Sequence, residues 1–395
     1  MKKRSTVLLS SVLAAGAILA ACGENDDSTP VNENAGDNAD NNAENNEDAD
    51  ADNNEENNAE ADDGDGEEIA EGDFAARMVT DVGGVDDRSF NESAWDGLTM
   101  FNEDYPETEV DYLQSEDTAD FQPNLNQIAR EDSDISFGIG FLMLDDIRTV
   151  AEQNPEQNFA LVDDIVLDED DEPVDNVANI MFAEHEGSFL VGAIAAMHTE
   201  TDHVGFIGGV ESPLIEKFRN GFEAGVHYVD EDIEISSQYA QDFNDANQGQ
   251  QIADSFYGND ADVIYHAAGD TGNGLFTEAI DRRDGGEEVW AIGVDQDQAL
   301  TQGDYEDGNV ILTSMVKQVD QAVYEVAEMT MNGEFPGGET LEFDLEDQGV
   351  GIAETQDNVS DDALELAEEY EADILNGDIE VPETEEEYEE FMEDL

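Results

Sequence analysis

The chain has 395 residues, long enough for two packed domains, and its hydrophobic fraction of 39% and aromatic fraction of 8% suit a globular protein carrying a polar extension. Its charge is far less ordinary, with 104 acidic residues against 12 basic ones and a formal net charge of −92. Such a surface repels nucleic acid and anionic lipid, which excludes a polyanion-binding role.

Three of the basic residues, Lys2, Lys3 and Arg4, precede an apolar run over 7–21 that is too short for a comfortable membrane span. With small residues before the cut, residues 1–21 read as an export signal. Leu19-Ala20-Ala21-Cys22 resembles a lipobox, in which the cysteine thiol is acylated and becomes the new N-terminus. Cys22 is the only cysteine, so no intramolecular disulfide can form. The expected mature protein sits on the outer face of the cytoplasmic membrane, held there by its lipid alone. Removing the signal leaves 12 − 3 = 9 basic residues against all 104 acidic ones, so 9 − 104 = −95. At about 1 M salt the Debye length falls to roughly 3 Å and the self-repulsion largely disappears. The composition therefore points to an exported protein of a salt-loving organism. Acidic residues also crowd the helices, as at Glu365, Glu368 and Glu369, so an acidic tail on an ordinary domain does not account for the charge.

From Gly23 to Asp73 there is no Lys, Arg or aromatic residue. Together with Cys22 this segment, 22–73, is expected to be a disordered acidic spacer, because it has too little apolar surface to offset its ordering entropy. Asp48, Asp50 and Asp52 alternate as in a calcium loop, but a loop starting there would place Asn53 and Ala59 where Gly and Glu are needed. No metal is expected.

Past Phe74 the pattern becomes regular. Apolar runs predict strands at 75–80, 108–113, 135–141, 158–162, 177–182, 203–208, 233–237, 262–267, 289–294 and 310–316, with amphipathic stretches between most of them. Buried strands alternating with helices predict an α/β protein of parallel sheets flanked by helices. That many strands exceed one comfortable core, so two lobes are expected, divided near residue 185 where a long helix over 187–197 begins, with a weaker divide after Val316.

In open α/β sheets ligands bind beyond the carboxyl ends of the strands. The residues found there are the loop 81–91; Phe141 and Asp145; Gly208, Gly209, Pro213, Lys217 and Phe218; the Gly269–Gly274 loop; Asp295; and Lys317. In the first loop Gly83 and Gly84 permit a sharp turn, Ser89 or Asn91 can cap the following helix, Asp87 offers an acceptor and Phe90 a flat face. Asp86 reads as part of a solvated turn, and core packing stands as an alternative for each Phe. The loop at Gly269 ends a strand and opens a helix, like a phosphate cradle, but no G-K-[ST] follows, so close backbone approach to a neutral ligand is its expected job. His185, His198, His203, His227 and His266 show no metal spacing, and neither a G-x-S-x-G elbow nor a catalytic cysteine is present. No enzymatic activity and no cofactor are expected.

Asp81-Val-Gly-Gly-Val-Asp-Asp-Arg-Ser-Phe-Asn91 resembles the opening signature of the basic membrane protein family, the substrate-binding lipoproteins of ABC importers that include purine nucleoside receptors. The resemblance continues through residues 187–196, 205–209, 218–225, 268–274, 292–298, 313–317 and 376–382, in order. It implies the two-lobed type I periplasmic-binding-protein fold with the ligand cleft between the lobes. The expected N-terminal lobe comprises 74–185 and about 312–335, the C-terminal lobe about 186–311 and 336–382, with 383–395 as an acidic tail. The resemblance places Asp87, Phe90 and Asn91 in the cleft wall and Lys317 at its hinge side, where the ammonium can donate to a ligand hydroxyl or a neighbouring carboxylate. Lys217, beside Arg219, relieves local charge or serves the site. Asp295 is suited to the vicinal hydroxyls of a ribose, since two carboxylate oxygens can accept from two adjacent donors. Asp145 would reach the base edge, and Phe218 with Phe90 or Phe141 would sandwich the base. The implied partners are a purine nucleoside, an ABC permease and its ATPase, with the receptor a monomer. The same fold with a sugar or other hydroxylated metabolite, or a sensor lipoprotein without transport, stays open. A DNA-binding regulator of related fold is excluded by the export signal, the charge and the lack of a basic headpiece.

Overall fold

The computed structural model describes residues 74–306 and 308–395. The expected export signal, Cys22 and the acidic spacer lie outside the described residues. In chain order come β1 (Ala75–Val79), α1 (Phe90–Asp104), β2 (Glu109–Leu113), α2 (Phe121–Ile128), β3 (Ile135–Ile139), α3 (Leu144–Gln153), β4 (Asn158–Val162) and β5 (Val177–Phe182). Next are α4 (Glu184–His198), β6 (His203–Gly208), α5 (Pro213–Val229), β7 (Glu234–Tyr239), α6 (Ala246–Tyr257), β8 (Val263–Ala267), α7 (Asn273–Asp284) and β9 (Trp290–Asp295). A small hairpin of β10 (Asp304–Tyr305) and β11 (Gly308–Asn309) leads to β12 (Ile311–Lys317), α8 (Val319–Met331), β13 (Thr340–Phe343), β14 (Val350–Ile352), α9 (Asp361–Leu375) and α10 (Glu385–Asp394). Each predicted strand is present with its ends displaced by at most two residues, and the predicted long helix starts at Glu184 rather than 187.

The strands form two six-stranded sheets, β13-β5-β4-β3-β1-β2 and β14-β12-β9-β8-β6-β7. Every ladder of the first is parallel. In the second only β14 runs antiparallel, against β12. Central strands such as β3 and β8 are buried along their whole length, as continuous apolar runs covered on both faces should be.

Sheet membership corrects the expected lobe boundaries. β12 pairs with β9 in the C-terminal sheet, Met315 opposite Val294, whereas 312–335 was expected in the N-terminal lobe. β13 pairs with β5, Thr340 opposite Asn179, and so joins the N-terminal sheet rather than the C-terminal one. Only α8 of the 312–335 segment packs on the N-terminal lobe, where Asp320 N donates to Ser93 Oγ at 3.2 Å and Tyr105 donates to Glu328 at 2.6 Å. The chain thus passes between lobes three times, after β5, β12 and β13. The expected acidic tail is also corrected. Residues Glu385–Asp394 form a helix started by a reciprocal Thr384–Glu387 capping box. Tyr388 hydrogen-bonds His227 at 2.8 Å, and Phe391 packs against Phe189 and Tyr228.

α4 and α5 pack backbone to backbone. A Cβ on Gly225 would overlap the Phe189 carbonyl oxygen, one on Gly221 that of His185, and one on Gly192 that of Phe222. By contrast, a Cβ on Gly351 would meet nothing within 4 Å. Gly225→Ala is therefore expected to lower the unfolding free energy by about 1–3 kcal/mol and Gly351→Ala to change it by no more than about 0.5 kcal/mol, as measured by urea unfolding at molar salt.

Candidate functional site

The carboxyl ends of β1, β3 and β4 in one sheet face those of β8, β9 and β12 in the other, across a crevice of about 560 Å³ counting its open mouth. The loop after β1 makes much of one wall. Gly84 has φ +74, and a Cβ there would overlap the Gln114 side chain, so only glycine fits the turn. Asp87 is buried, and its two oxygens accept from the backbone N–H groups of Ser89 (3.0 Å), Asn91 (2.9 Å) and Glu92 (3.1 Å). Asp87 therefore satisfies the free N–H groups opening α1, the job expected of Ser89 or Asn91. Asn91 instead ties the loop together: its Nδ2 donates to Asp81 (2.6 Å) and Asp87 (2.9 Å), and its Oδ1 accepts from Asp81 N (3.0 Å). Ser89, freed from capping, donates across the crevice to Asp295 Oδ2. Asp86 is exposed.

Lys317, the last residue of β12, is 1% exposed. Its Nζ donates to Asp163 Oδ1 at 2.6 Å and lies 3.0 Å from Glu184 Oε1. Three rings surround it, with centroids at 4.8 Å (Phe182), 5.1 Å (Phe90) and 5.6 Å (Phe218). Burial works against the ammonium, yet Asp163, Glu184 and Asp295 overcome it and raise its pKa. Lys217 reaches the other side of the same acid, 3.8 Å from Glu184 Oε2, and sits 3.4 Å from Glu383. The two lysines of the described residues thus flank one fully buried glutamate.

The crevice acids resist ionisation. Burial pushes Asp295 up to about 7, with Lys317 and Ser89 holding it back. Asp81 rises to about 6 through burial, opposed by Gly83 N and Asn91. Asp163 also rises to about 6, burial again outweighing Lys317. Asp163 and Asp295 both sit at strand ends in the left-handed region, at φ +76 and +64. That conformation costs about 1–3 kcal/mol for a side-chain-bearing residue and gathers at functional sites.

Of the residues expected at the site, Asp87, Phe90, Asn91, Phe141, Phe218, Gly269, Asp295 and Lys317 line the crevice. Asp145 does not. Its carboxylate is 90% exposed and pairs with Arg148 at 3.1 Å. Ile147, Val150 and Ala151 turn inward on α3; a residue two positions before Ile147 lies about 200° round the helix and faces solvent. Asp163 and Phe243 line the crevice unforeseen, and so does Asp81, which the expected loop 81–91 contained without a role of its own. Asp163 follows β4, so the strand-end rule that selected the loop 81–91 and Asp295 could have found it as well. No local signal marks Glu184. Phe141 meets Phe243 edge-on at 6.1 Å, closing the crevice between lobes. Among the described residues no group of His, Cys, Asp or Glu is arranged to hold a metal ion, and no helix is long and apolar enough to cross a membrane.

A family model described as ABC transporter substrate-binding protein PnrA-like matches residues 74–385, which contain every element that builds this crevice. The chain belongs to the Bmp family of ABC transporter substrate-binding proteins. The family binds small solutes outside the cytoplasm, works with ABC permeases, and is one of binding proteins rather than enzymes. The CD4+ T-cell-stimulating antigen of Listeria innocua is 43% identical over 97% of this chain and 99% of its own length. The ABC transporter nucleoside-binding protein BmpA of Lactococcus lactis is 37% identical over 78% of this chain and 89% of its own. Among solved structures, an ABC transporter solute-binding protein from Aeropyrum pernix superimposes with a TM-score of 0.71 at 26% identity, over 81% of this chain and 96% of that one. The two-lobed fold is the one the family resemblance implies.

The raised acids give the family member a specific pH response. The folded protein keeps protons on Asp81, Asp163 and Asp295 to about pH 6, 6 and 7, whereas the unfolded chain gives them up near the ordinary value of 3.8. These groups therefore stabilise the fold most at low pH and lose that contribution as pH rises through the folded values. In molar salt, Asp295→Asn is expected to flatten the fall in stability between about pH 4 and 7. It should also make the solute-free protein more stable by about 1–3 kcal/mol at pH 8; pH-dependent chemical denaturation measures both.

Proposed function

We propose that this chain is the lipid-anchored receptor of an ABC importer and that it takes a purine nucleoside between its lobes. What carries the reading is the convergence of Phe90, Phe218, Asp295 and Lys317, drawn from both lobes, on a single crevice. Phe218 with Phe90 or Phe141 would hold the base, an offset stack contributing about 0.5–1.5 kcal/mol beyond burial. Asp295 would accept from the ribose hydroxyls. The base-edge role expected of Asp145 passes to Asp81 and Asp163: the protein's donors meet Oδ1 of each, which leaves the second oxygen for a solute. The family relative from Lactococcus lactis, named as a nucleoside-binding protein, supports this choice. Acylation of Cys22 would anchor the receptor, and as a monomer it would hand the solute to a permease driven by a cytoplasmic ATPase. The acid-rich composition suits an organism living in high salt.

A nucleotide fits this crevice poorly. Its phosphates would face Asp81, Asp163 and Asp295, and the one ammonium present is already paired with Asp163. Guanosine or adenosine at 100 times its Kd is expected to stabilise the protein by about 2.7 kcal/mol, and the matching monophosphate at equal concentration far less. Thermal unfolding at molar salt measures this, and no shift with any nucleoside would end the nucleoside reading. Stabilisation by free ribose alone would transfer it to sugars. Phe218→Ala is expected to weaken nucleoside binding at least about tenfold, through lost stacking and burial, read by calorimetric titration.

A further inference from the structure

Three bonds across the crevice involve neither Lys317 nor the solute-facing acids. Asn244, at the crevice mouth, donates from Nδ2 to the Val82 carbonyl at 2.9 Å. Asn273, the first residue of α7, donates to the Asp87 carbonyl at 3.1 Å, and Gln298, just after β9, to the Arg88 carbonyl at 2.9 Å. All three donors are carboxamides of the C-terminal lobe, and all three acceptors are main-chain carbonyls of one N-terminal loop. None of the three donors lines the solute crevice.

The amides of two of them are oriented by their remaining bonds. Gln298 Oε1 accepts from Val294 N at 2.9 Å and from His266 Nε2 at 3.1 Å, which turns its NH2 group toward Arg88. Asn273 Oδ1 accepts from Gln302 at 2.6 Å, leaving Nδ2 to serve Asp270 at 2.7 Å and the Asp87 carbonyl. Gln298 is fully buried, and the Arg88 backbone it grips lies in the left-handed region at φ +57. The receiving loop is itself fixed, because Asp87 and Asn91 hold it to the start of α1.

We propose that Asn244, Asn273 and Gln298 form a closure clasp: positioning residues that favour the closed lobe pair through the main chain, and so set solute affinity without touching the solute. Such bonds exist only when the lobes meet, and a ligand gains whatever the closed state gains. The choice of carboxamides has a physical reason in this chain. A lysine or arginine latch would be drawn to the neighbouring carboxylates of Asp81, Asp86 and Asp87, and its attraction would fade in molar salt. A neutral N–H donor carries no net charge to be pulled toward those acids at a distance, and its bond to a carbonyl depends little on ionic strength. The clasp acts on whichever solute enters, so it does not rest on the nucleoside reading.

The test is Asn244→Ala with Asn273→Ala in the full chain carrying Cys22→Ala, spin-labelled through Asp111→Cys on one lobe and Asp232→Cys on the other. With the melting temperature retained, the double variant is expected to shift the solute-free distance distribution toward the open form. It should also release guanosine faster and bind it about tenfold or more weakly, equally at about 0.5 M and 3 M salt. An unchanged distance distribution and an unchanged dissociation rate would overturn the clasp. Should guanosine not bind the parent protein, the nucleoside reading falls while the solute-free distances still decide: a loss of closed population supports the clasp, and an unchanged distribution overturns it.

Discussion

One buried ammonium organises this site. Lys317 lies at the end of β12 with Asp163 of the opposite sheet at 2.6 Å, Glu184 of α4 at 3.0 Å and three phenylalanine rings around it. Buried ion pairs seldom add net stability, since desolvation consumes most of the attraction. Their contribution is to fix an arrangement. Here the cation ties β4 to β12, one strand from each sheet, at the point where both end. In a chain with nine basic residues beyond its first 21, placing one of them where no solvent reaches it sets the electrostatic character of the crevice.

Around that cation the acids ionise later than ordinary carboxylates. Asp81, Asp163 and Asp295 are buried and raised in pKa, and two of them carry left-handed backbones at strand ends. Such a crevice suits a neutral solute rich in hydrogen-bond donors, because donors satisfy the carboxyl oxygens that the protein leaves free, whereas an anion would add to a charge the site already resists. The aromatic rings supply the non-polar remainder. The crevice is thus apolar over most of its walls, with its carboxyl groups among the polar points.

Closure meets a second constraint, the acidity of both lobes. Surface charges are damped over a few ångströms in concentrated salt, so ionic latches lose their grip under the conditions the composition suits. Three of the bonds that cross between lobes away from the solute are carboxamide to carbonyl. The three chain passages between lobes, after β5, β12 and β13, leave the relative rotation of the sheets to such contacts rather than to a covalent stop.

The sequence alone determined the order of strands and helices, the family, and most of the crevice wall, because apolar runs, glycine turns and strand ends are local features. Phe90, Phe218, Asp295 and Lys317 could be placed on that basis. Only the tertiary structure decided the rest. β12 and β13 belong to sheets other than those expected because pairing partners lie far away in the chain, Val294 for Met315 and Asn179 for Thr340. Asp145 turned outward because the apolar stripe of α3 fixes its rotation, and the capping of α1 fell to Asp87 because its carboxylate alone reaches three free N–H groups. Glu184 gives no local sign at all: an acid inside an apolar helix declares its role only when Lys217 and Lys317, 33 and 133 residues onward, are folded against it.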